Sequence, residues 1–301
     1  MINALKYLGI TLLILLGVLL AWGLVEPYTL DKQDEVANVP DLPDAWQGKR
    51  VVAIGDMQVG MWLNNEATMR RAVQTIIDEK PAVALLLGDF VYHDSNRHTQ
   101  DIDTAVSIVA RLPQADIPTY AVMGNHDYGM GQPSDPTDKG LAAGLERALE
   151  NHGIPVLVNE AVPVRLGQDG NPLYVVGLGS HYADLDFPEQ ALANVPDRAA
   201  RVVMMHHPDS FAKIAPSSAP LAIAGHTHGG QIAIPGLPNW SYRTFARSSE
   251  VHTDGWIEPS YGASGNALFV NVGLGMSGVP LRINVPPAVT FFTLQQGEVQ
   301  R

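Results

Sequence analysis

His226 and His228 stand one residue apart in Gly225-His226-Thr227-His228-Gly229-Gly230-Gln231, and two imidazoles at that spacing can serve two different metal ions. Alone the pair would be weak evidence, because surface and core histidines outnumber ligands. Here it is joined by Gly55-Asp56, Gly88-Asp89, Gly124-Asn125-His126-Asp127 and Val203-Met204-Met205-His206-His207-Pro208. Each cluster follows directly on an apolar run that reads as a strand, so carboxylate, carboxamide and imidazole donors for two cations are set at strand ends. The chain has no cysteine, so any metal is held by oxygen and nitrogen.

The elements that must position these residues are legible from periodicity. Val51 to Ile54 is a short β-branched run. Glu66 to Glu79 carries Met69, Ala72, Val73, Ile76 and Ile77 at helical spacing, with Asn64 or Asn65 as candidate cap. Ala82 to Leu87 suits a strand buried on both faces, Ile102 to Leu112 is helical in period, and Thr119 to Met123 is strand-like. A β-α-β-α-β order predicts a parallel sheet whose strand C-termini share one edge, where Asp56, Asp89 and Asn125 should converge. After a helix at Leu141 to Asn151, strands are expected at 156–159, 162–166, 173–178, 202–205, 221–224, 231–234, 268–272 and 289–294. These would form a second sheet that brings His206 and Gly225-His226 to the same edge. Residues 235–266 read as a long irregular insertion near it.

Composition bounds the rest. A chain of 301 residues with 46% hydrophobic content supports one substantial domain. A net charge of −12 with 19 Lys+Arg leaves no basic stripe, so nucleic acid is not an expected partner. Tyr7 to Val25 is apolar or small except for Thr11, long enough to span a bilayer as a helix and longer than the apolar core of a usual secretory signal. Residues 1–25 are therefore expected as a membrane anchor, with a cleaved signal as the alternative. Residues 26–48, rich in Pro, Asp and Asn, are expected as an extended tether, and 49–301 as the catalytic domain. Lys6 precedes the apolar run, while Glu26, Asp31, Asp34 and Glu35 follow it. That asymmetry predicts a single-pass protein of the cytoplasmic membrane with its domain on the outer face.

The ordered series of motifs resembles the calcineurin-like metallophosphoesterase superfamily over residues 50–294. Gly225 to Gln231, His206-His207-Pro208-Asp209 and the stretch from Asn271-Val272-Gly273-Leu274-Gly275 through Pro280-Leu281-Arg282 to Pro286-Pro287 look like a bacterial subfamily of membrane-associated or exported phosphoesterases. The resemblance implies an α/β fold, a two-sheet α-β-β-α sandwich, and hydrolysis of phosphate mono- or diesters by a hydroxide bridging two metal ions. Carried over by position, Asp89 would bridge both ions, Asp56 and His228 would complete the first site, and Asn125, His206 and His226 the second. Three imidazoles favour Mn, Fe, Zn or Co over Mg or Ca. His126 would be the catalytic imidazolium and Asp127 the carboxylate that orients it.

One departure stands out. The family's Asp-x-His is here Asp56-Met57-Gln58, so the first site lacks an imidazole. Gln58 offers a weaker neutral oxygen. Tyr92, in Gly88-Asp89-Phe90-Val91-Tyr92, matches the GDxxY of purple acid phosphatases and offers a phenolate for an Fe(III)-M(II) centre, or is a packed aromatic. His207 should alternate to the opposite side of its strand. His93, His98, His181 and His252 read as surface or substrate-rim residues, and Arg282 as a partner of phosphate or of a buried carboxylate. Two rival functions remain in view: a pyrophosphatase of nucleotide-linked lipid precursors, against which the expected topology counts, and a non-catalytic metal-binding scaffold.

Overall fold

The computed structural model describes residues 2–93, 97–167, 170–234 and 253–299. Two sheets lie face to face. The first takes β1 (Asp31–Val39), β2 (Arg50–Ile54), β3 (Val83–Leu86), β4 (Thr119–Ala121) and β11 (Ala288–Gln296) in the order β1-β11-β2-β3-β4. The second takes β5 (Glu160–Val164), β6 (Leu173–Gly177), β7 (Arg201–Met204), β8 (Ala222–Ala224), β9 (Gly255–Trp256) and β10 (Leu268–Val270) in the order β5-β6-β7-β8-β10-β9.

Side-chain alternation along each strand builds the layers. Val51 and Ala53 of β2 and Val83 and Leu85 of β3 face the other sheet, where they meet Val202 and Met204 of β7, Ile223 of β8 and Phe269 of β10. Val52, Ile54, Ala84 and Leu86 face outward and are covered by α2 (Glu66–Glu79), α3 (His98–Val109), the short α4 (Arg111–Gln114) and α5 (Lys139–Glu150). The outward side chains of the second sheet, Val203, Ala222, Ala224 and Val270, pack with Ala191 of α6 (Pro188–Leu192) and with Phe211 and Ile214. The α-β-β-α sandwich expected from the motifs is the observed architecture. Strands β2, β3 and β4 are mutually parallel, as are β6, β7, β8 and β10, so their C-terminal ends deliver the chain to shared edges.

Several expectations are corrected. Residues 26–48 are not a tether: β1 pairs along its whole length with β11, from Asp31 opposite Ala288 to Val39 opposite Gln296. The mostly polar strand carried no apolar period because it lies at the sheet's edge and buries Ala37 and Val39. The domain thus begins well before Lys49. Residues 156–159 and 231–234 form isolated bridges, Val156 with Ala121 and Ile232 with Ile283, rather than strands. Asn65 does occupy the cap position of α2, but its side chain makes no capping bond and instead ties Pro27 O and Leu274 O together at 2.8 and 2.7 Å. Residues 235–252 of the 235–266 insertion, His252 among them, fall outside the described residues.

The helix α1 (Ile2–Val25) is apolar or small from Tyr7 to Val25 except for Thr11, and its residues from Ala4 onward are exposed apart from Gly23. It is the one helix among the described residues long and apolar enough to cross a membrane.

Candidate metal centre

The ligand candidates sit where strands end and the backbone turns sharply. Asp56, Gln58, Asp89, His226 and His228 all have positive φ, between 52° and 73°. Left-handed backbone costs an ordinary L-residue about 1–2 kcal/mol, so five such residues at one edge mark stored strain of the kind found at functional sites. Close approach is equally demanding at Gly124, where a Cβ would stand 2.1 Å from Asp89 Oδ1 and 2.7 Å from His206 Cε1.

On one side, Asn125, His206 and His226 converge. His226 Nδ1 lies 3.1 Å from Asn125 Oδ1 and 3.3 Å from His206 Nε2, and His206 Nε2 lies 3.2 Å from Asp89 Oδ2. Donors arranged around an ion at about 2.1 Å stand roughly 3.0–3.4 Å from one another. The orientations are set from behind. His206 Nδ1–H donates to Leu87 O at 2.8 Å, which leaves the Nε2 lone pair for a cation. Asn125 Nδ2 donates to Met130 O, which turns Oδ1 toward His226. Tyr182 Oη stands 3.4 Å from His226 Nε2, on the far side of that ring from the centre.

On the other side are Asp56, Gln58 and His228. Asp56 accepts from His226 N at 3.0 and 3.1 Å, and its Oδ1 is 3.5 Å from His228 Nε2. Gln58 Nε2 donates to Asp89 Oδ2 at 2.8 Å and lies 3.5 Å from His228 Nε2, while Gln58 Oε1 is buried without a partner. An amide reversed about its last torsion would present Oε1 at the same spot, so the side chain suits a cation between Asp89 and His228. Asp56, Asp89 and His206 bring their ligand atoms within 4.8 Å of one another.

Electrostatics argue for a cation as well. Burial pushes the Asp56 carboxyl up to about 7 against the attraction of His206, and the Asp89 charge adds to the rise. Asp89 is equally buried, but His206 and His126 hold it below the usual carboxylate range. Two desolvated carboxylates that oppose each other's ionisation are the environment a bound cation relieves. The donor set therefore fits a metal centre.

His126 approaches from the rim, with Nε2 3.9 Å from Asp89 Oδ2. Its Nδ1 lies 3.2 Å from the backbone N–H of His93, which can only donate, so in this arrangement the ring proton sits on Nε2 and faces the centre. The expected partnership with Asp127 is corrected: the Asp127 carboxylate accepts the backbone N–H groups of Asp89, Phe90 and Gly124 at 2.8–2.9 Å and of Val91 at 3.3 Å. Asp127 locks two ligand-bearing turns to each other, and His93, whose Nδ1 is 2.7 Å from His126 Nδ1, is what holds the ring. The Tyr92 ring stacks on His126, centroids 5.3 Å apart at 25°.

Three further residues differ from expectation. His207 stays on the same side as His206, its ring 4.3 Å from that of His226, because regular alternation ends with β7 at Met204. It is buried with neither ring nitrogen paired, and burial together with the adjoining His206 lowers its pKa well below the ordinary value. Arg282 is fully buried and spends its guanidinium on backbone rather than on a carboxylate, donating to the carbonyls of Val272, Gly273, Gly275 and Val285. That loop backs Asp56, with Gly275 N donating to Asp56 O. His181 pairs with Asp186, which also takes bonds from Ser210 and Lys213.

Sequence reasoning missed His93 and Tyr182 as supports of the centre. The signal for Tyr182 was present, since Ser180-His181-Tyr182 follows a strand end as the ligands do.

Comparison with known proteins agrees with this geometry. The chain is 25% identical to the uncharacterized metallophosphoesterase YkuE of Bacillus subtilis over 272 residues, covering 90% of this chain and 87% of that protein. It is 33% identical to the phosphodiesterase YaeI of Escherichia coli over 165 residues, 54% of this chain and 55% of the relative. It is 22% identical to the UDP-2,3-diacylglucosamine pyrophosphatase LpxG of Chlamydia muridarum over 268 residues, 76% and 78% of the two chains. The profile of the calcineurin-like phosphoesterase family matches residues 49–230, which spans Asp56 through His228. The chain belongs to the calcineurin-like phosphoesterase family and is a metallophosphoesterase, a hydrolase.

Proposed function

We propose that the centre holds two ions, the first by Asp56, Gln58 and His228, the second by Asn125, His206 and His226, with Asp89 shared. The observation that carries this reading is the position of Asp89 Oδ2, 3.2 Å from His206 Nε2 in one set and 2.8 Å from the Gln58 amide in the other. When bound, such ions supply Lewis acidity toward phosphoryl oxygens and lower the pKa of water. His126 holds a proton at Nε2 beside Asp89, placed to donate to a phosphoryl or leaving-group oxygen. Asp127 fixes the turns that carry Asp89 and Asn125. The three imidazoles in the donor set favour Mn, Zn or Fe. Gln58 is the favoured extra donor to the first ion because it already lies between Asp89 and His228.

Metal analysis and hydrolysis of an aryl phosphodiester and an aryl phosphomonoester test the proposal together. Two ions per chain and turnover of at least one ester are expected, both lost in Asp89→Asn. Inactivity of wild-type protein on both esters with Mn, Zn and Fe would favour the non-catalytic scaffold. A visible charge-transfer band in protein purified without added metal would replace Gln58 by a Tyr92 phenolate on ferric iron.

The helix α1 is read as a retained anchor with the domain outside the cytoplasm. Its last turn is built into the domain: Gly23 O accepts from Arg282 N at 2.9 Å, and the buried Glu26 carboxylate accepts from the backbone of Asn284 and Val285. Terminal sequencing of the membrane-bound protein tests this, and a chain beginning beyond Gly23 would show a signal instead. Outside the cytoplasm, phosphate mono- and diesters are favoured over the nucleotide-linked substrate that LpxG's name records.

A further inference from the structure

Three features meet at one edge of the first sheet. Strand β2 ends there at Ile54 and leads to Asp56, while β3 leads to Asp89. Strand β11 runs antiparallel to β2, with Thr290 opposite Ala53, so β11 begins at this edge. Strand β1 is parallel to β11, with Asp31 opposite Ala288, so it begins there too. The helix α1 and its exit, residues 23–30, therefore enter the domain on the metal edge. Two strand spacings separate β1 from β2, about 10 Å.

The junction is fastened. Besides the Gly23 and Glu26 contacts, Pro27 O accepts from both Asn65 Nδ2 and Thr68 Oγ1. A Cβ on Gly23 would stand 3.1 Å from Ile283 and 3.3 Å from Leu281. The apolar run from Tyr7 to Val25 measures about 28 Å at 1.5 Å per residue, against a hydrocarbon core of about 30 Å. A helix placed in a bilayer thus brings its last turn to the headgroup layer, and with it the 281–283 segment and the metal edge.

The surface at this edge suits that depth. Trp62 and Leu63 are 70% and 40% exposed on the loop between Gln58 and α2. Tyr28, whose hydroxyl donates to Asn64 O, is 45% exposed; Ile234 and Val279 are 42% and 44% exposed. The last two flank the helix base, since Ala233 N bonds Ile283 O and Gln231 Nε2 bonds Val279 O. Large apolar side chains left in water around the foot of a membrane helix are what an interface accommodates, with Trp and Tyr at headgroup level.

We infer that the protein lies with its metal edge on the bilayer that holds α1, the 62–63 loop entering the headgroup layer, and that its substrates are phosphate esters carried by lipids of that same membrane. The inference rests on the hydrolase reading above. In the reaction a water oxygen bonds to phosphorus, the phosphorus–oxygen bond to the alcohol breaks, and a proton from water ends on that alcohol.

The absence of cysteine makes the geometry directly measurable. Full-length Trp62→Cys, and Lys49→Cys at the opposite end of β2, carry one nitroxide each after reconstitution into phosphatidylethanolamine/phosphatidylglycerol vesicles. The label at 62 is expected to be relaxed more by oxygen than by an aqueous nickel chelate, and the label at 49 the reverse. In the same vesicles, wild-type protein loaded with Mn is expected to release headgroup or phosphate from lipid, with phosphatidic acid included as the monoester. Trp62→Asp/Leu63→Asp should lower that release at least tenfold while leaving hydrolysis of a water-soluble aryl phosphodiester within twofold. Water exposure at 62 equal to that at 49, no turnover of vesicle phosphoesters by protein active on the aryl ester, or equal loss of both activities in the double variant overturns the inference and leaves the hydrolase intact. Wild-type inactivity on the aryl ester would instead strike the underlying reading.

Discussion

The two halves of the proposed metal centre are held differently. In the half made by Asn125, His206 and His226, each donor is aimed by a bond behind it: Met130 O for Asn125, Leu87 O for His206, Tyr182 Oη for His226. In the half made by Asp56, Gln58 and His228, the Gln58 amide is satisfied by Asp89 through its nitrogen, and its oxygen is left over. The first arrangement is preorganised for an ion, whereas the second must turn a side chain to receive one. Preorganisation lowers the reorganisation that binding demands, so the second ion should be the tighter.

The comparison can be broken at its shared member first. Asp89→Asn should lower aryl phosphodiesterase activity by about 10³-fold or more, because several kcal/mol of charge stabilisation depend on both ions and each 1.36 kcal/mol is tenfold in rate. Retained far-ultraviolet dichroism would show that the fold survives, and substantial residual turnover would mean that Asp89 is not shared. His206→Ala should next reduce bound metal from two ions to one per chain and cost about 10²-fold in rate, read by elemental analysis beside kinetics. Loss of both ions, or of neither, would end the two-site description.

Gln58 sharpens the contrast. Gln58→His should hold the first ion roughly tenfold more tightly against a chelator, and Gln58→Ala should release it faster, with the second ion unaffected in both. Tyr182→Phe should act on the opposite half, weakening the second ion about tenfold without moving the first. Equal effects on both ions would make the halves one cooperative unit.

The smallest effect is expected away from both ions, at Asp186. Burial raises its pKa, but bonds from His181, Lys213 and Ser210 outweigh that and hold it below the ordinary carboxylate value, so its stabilisation is present above about pH 4 and fades as pH falls through the lowered value. The bond to Asp186 raises the His181 pKa, so that group contributes below about pH 6.5 and its share is lost as pH rises through the raised value. Asp186→Asn should therefore lower Tm by about 2–4 °C at pH 6, with a narrower gap at pH 9. A gap that widens with pH would contradict the pairing.

Some of this organisation could be read before any coordinates. Asp56, Asp89, Asn125, His206, His226 and His228 were identifiable because each follows a short apolar strand, and parallel strands bring such positions to a common edge. The helices α2 and α5 announced themselves by a 3.6-residue apolar period. Strand β1 did not: it is mostly polar and draws its order from a partner some 250 residues away in sequence. The role of Asp127 was equally hidden, since its acceptor oxygens serve turns separated by 36–38 positions.

The amino-acid sequence by itself determined which side chains could bind metal, the two sets of strands that carry them and the presence of an apolar N-terminal helix, because these follow from donor chemistry and local periodicity. The sandwich was implied by the resemblance to a family. Only the tertiary structure decided which side chain steadies His126, how Gln58 sits between Asp89 and His228, and that the helix enters the domain beside the candidate ligands. Those depend on contacts between distant segments, and a one-dimensional pattern carries no record of which far-off backbone a side chain will meet once the sheets close.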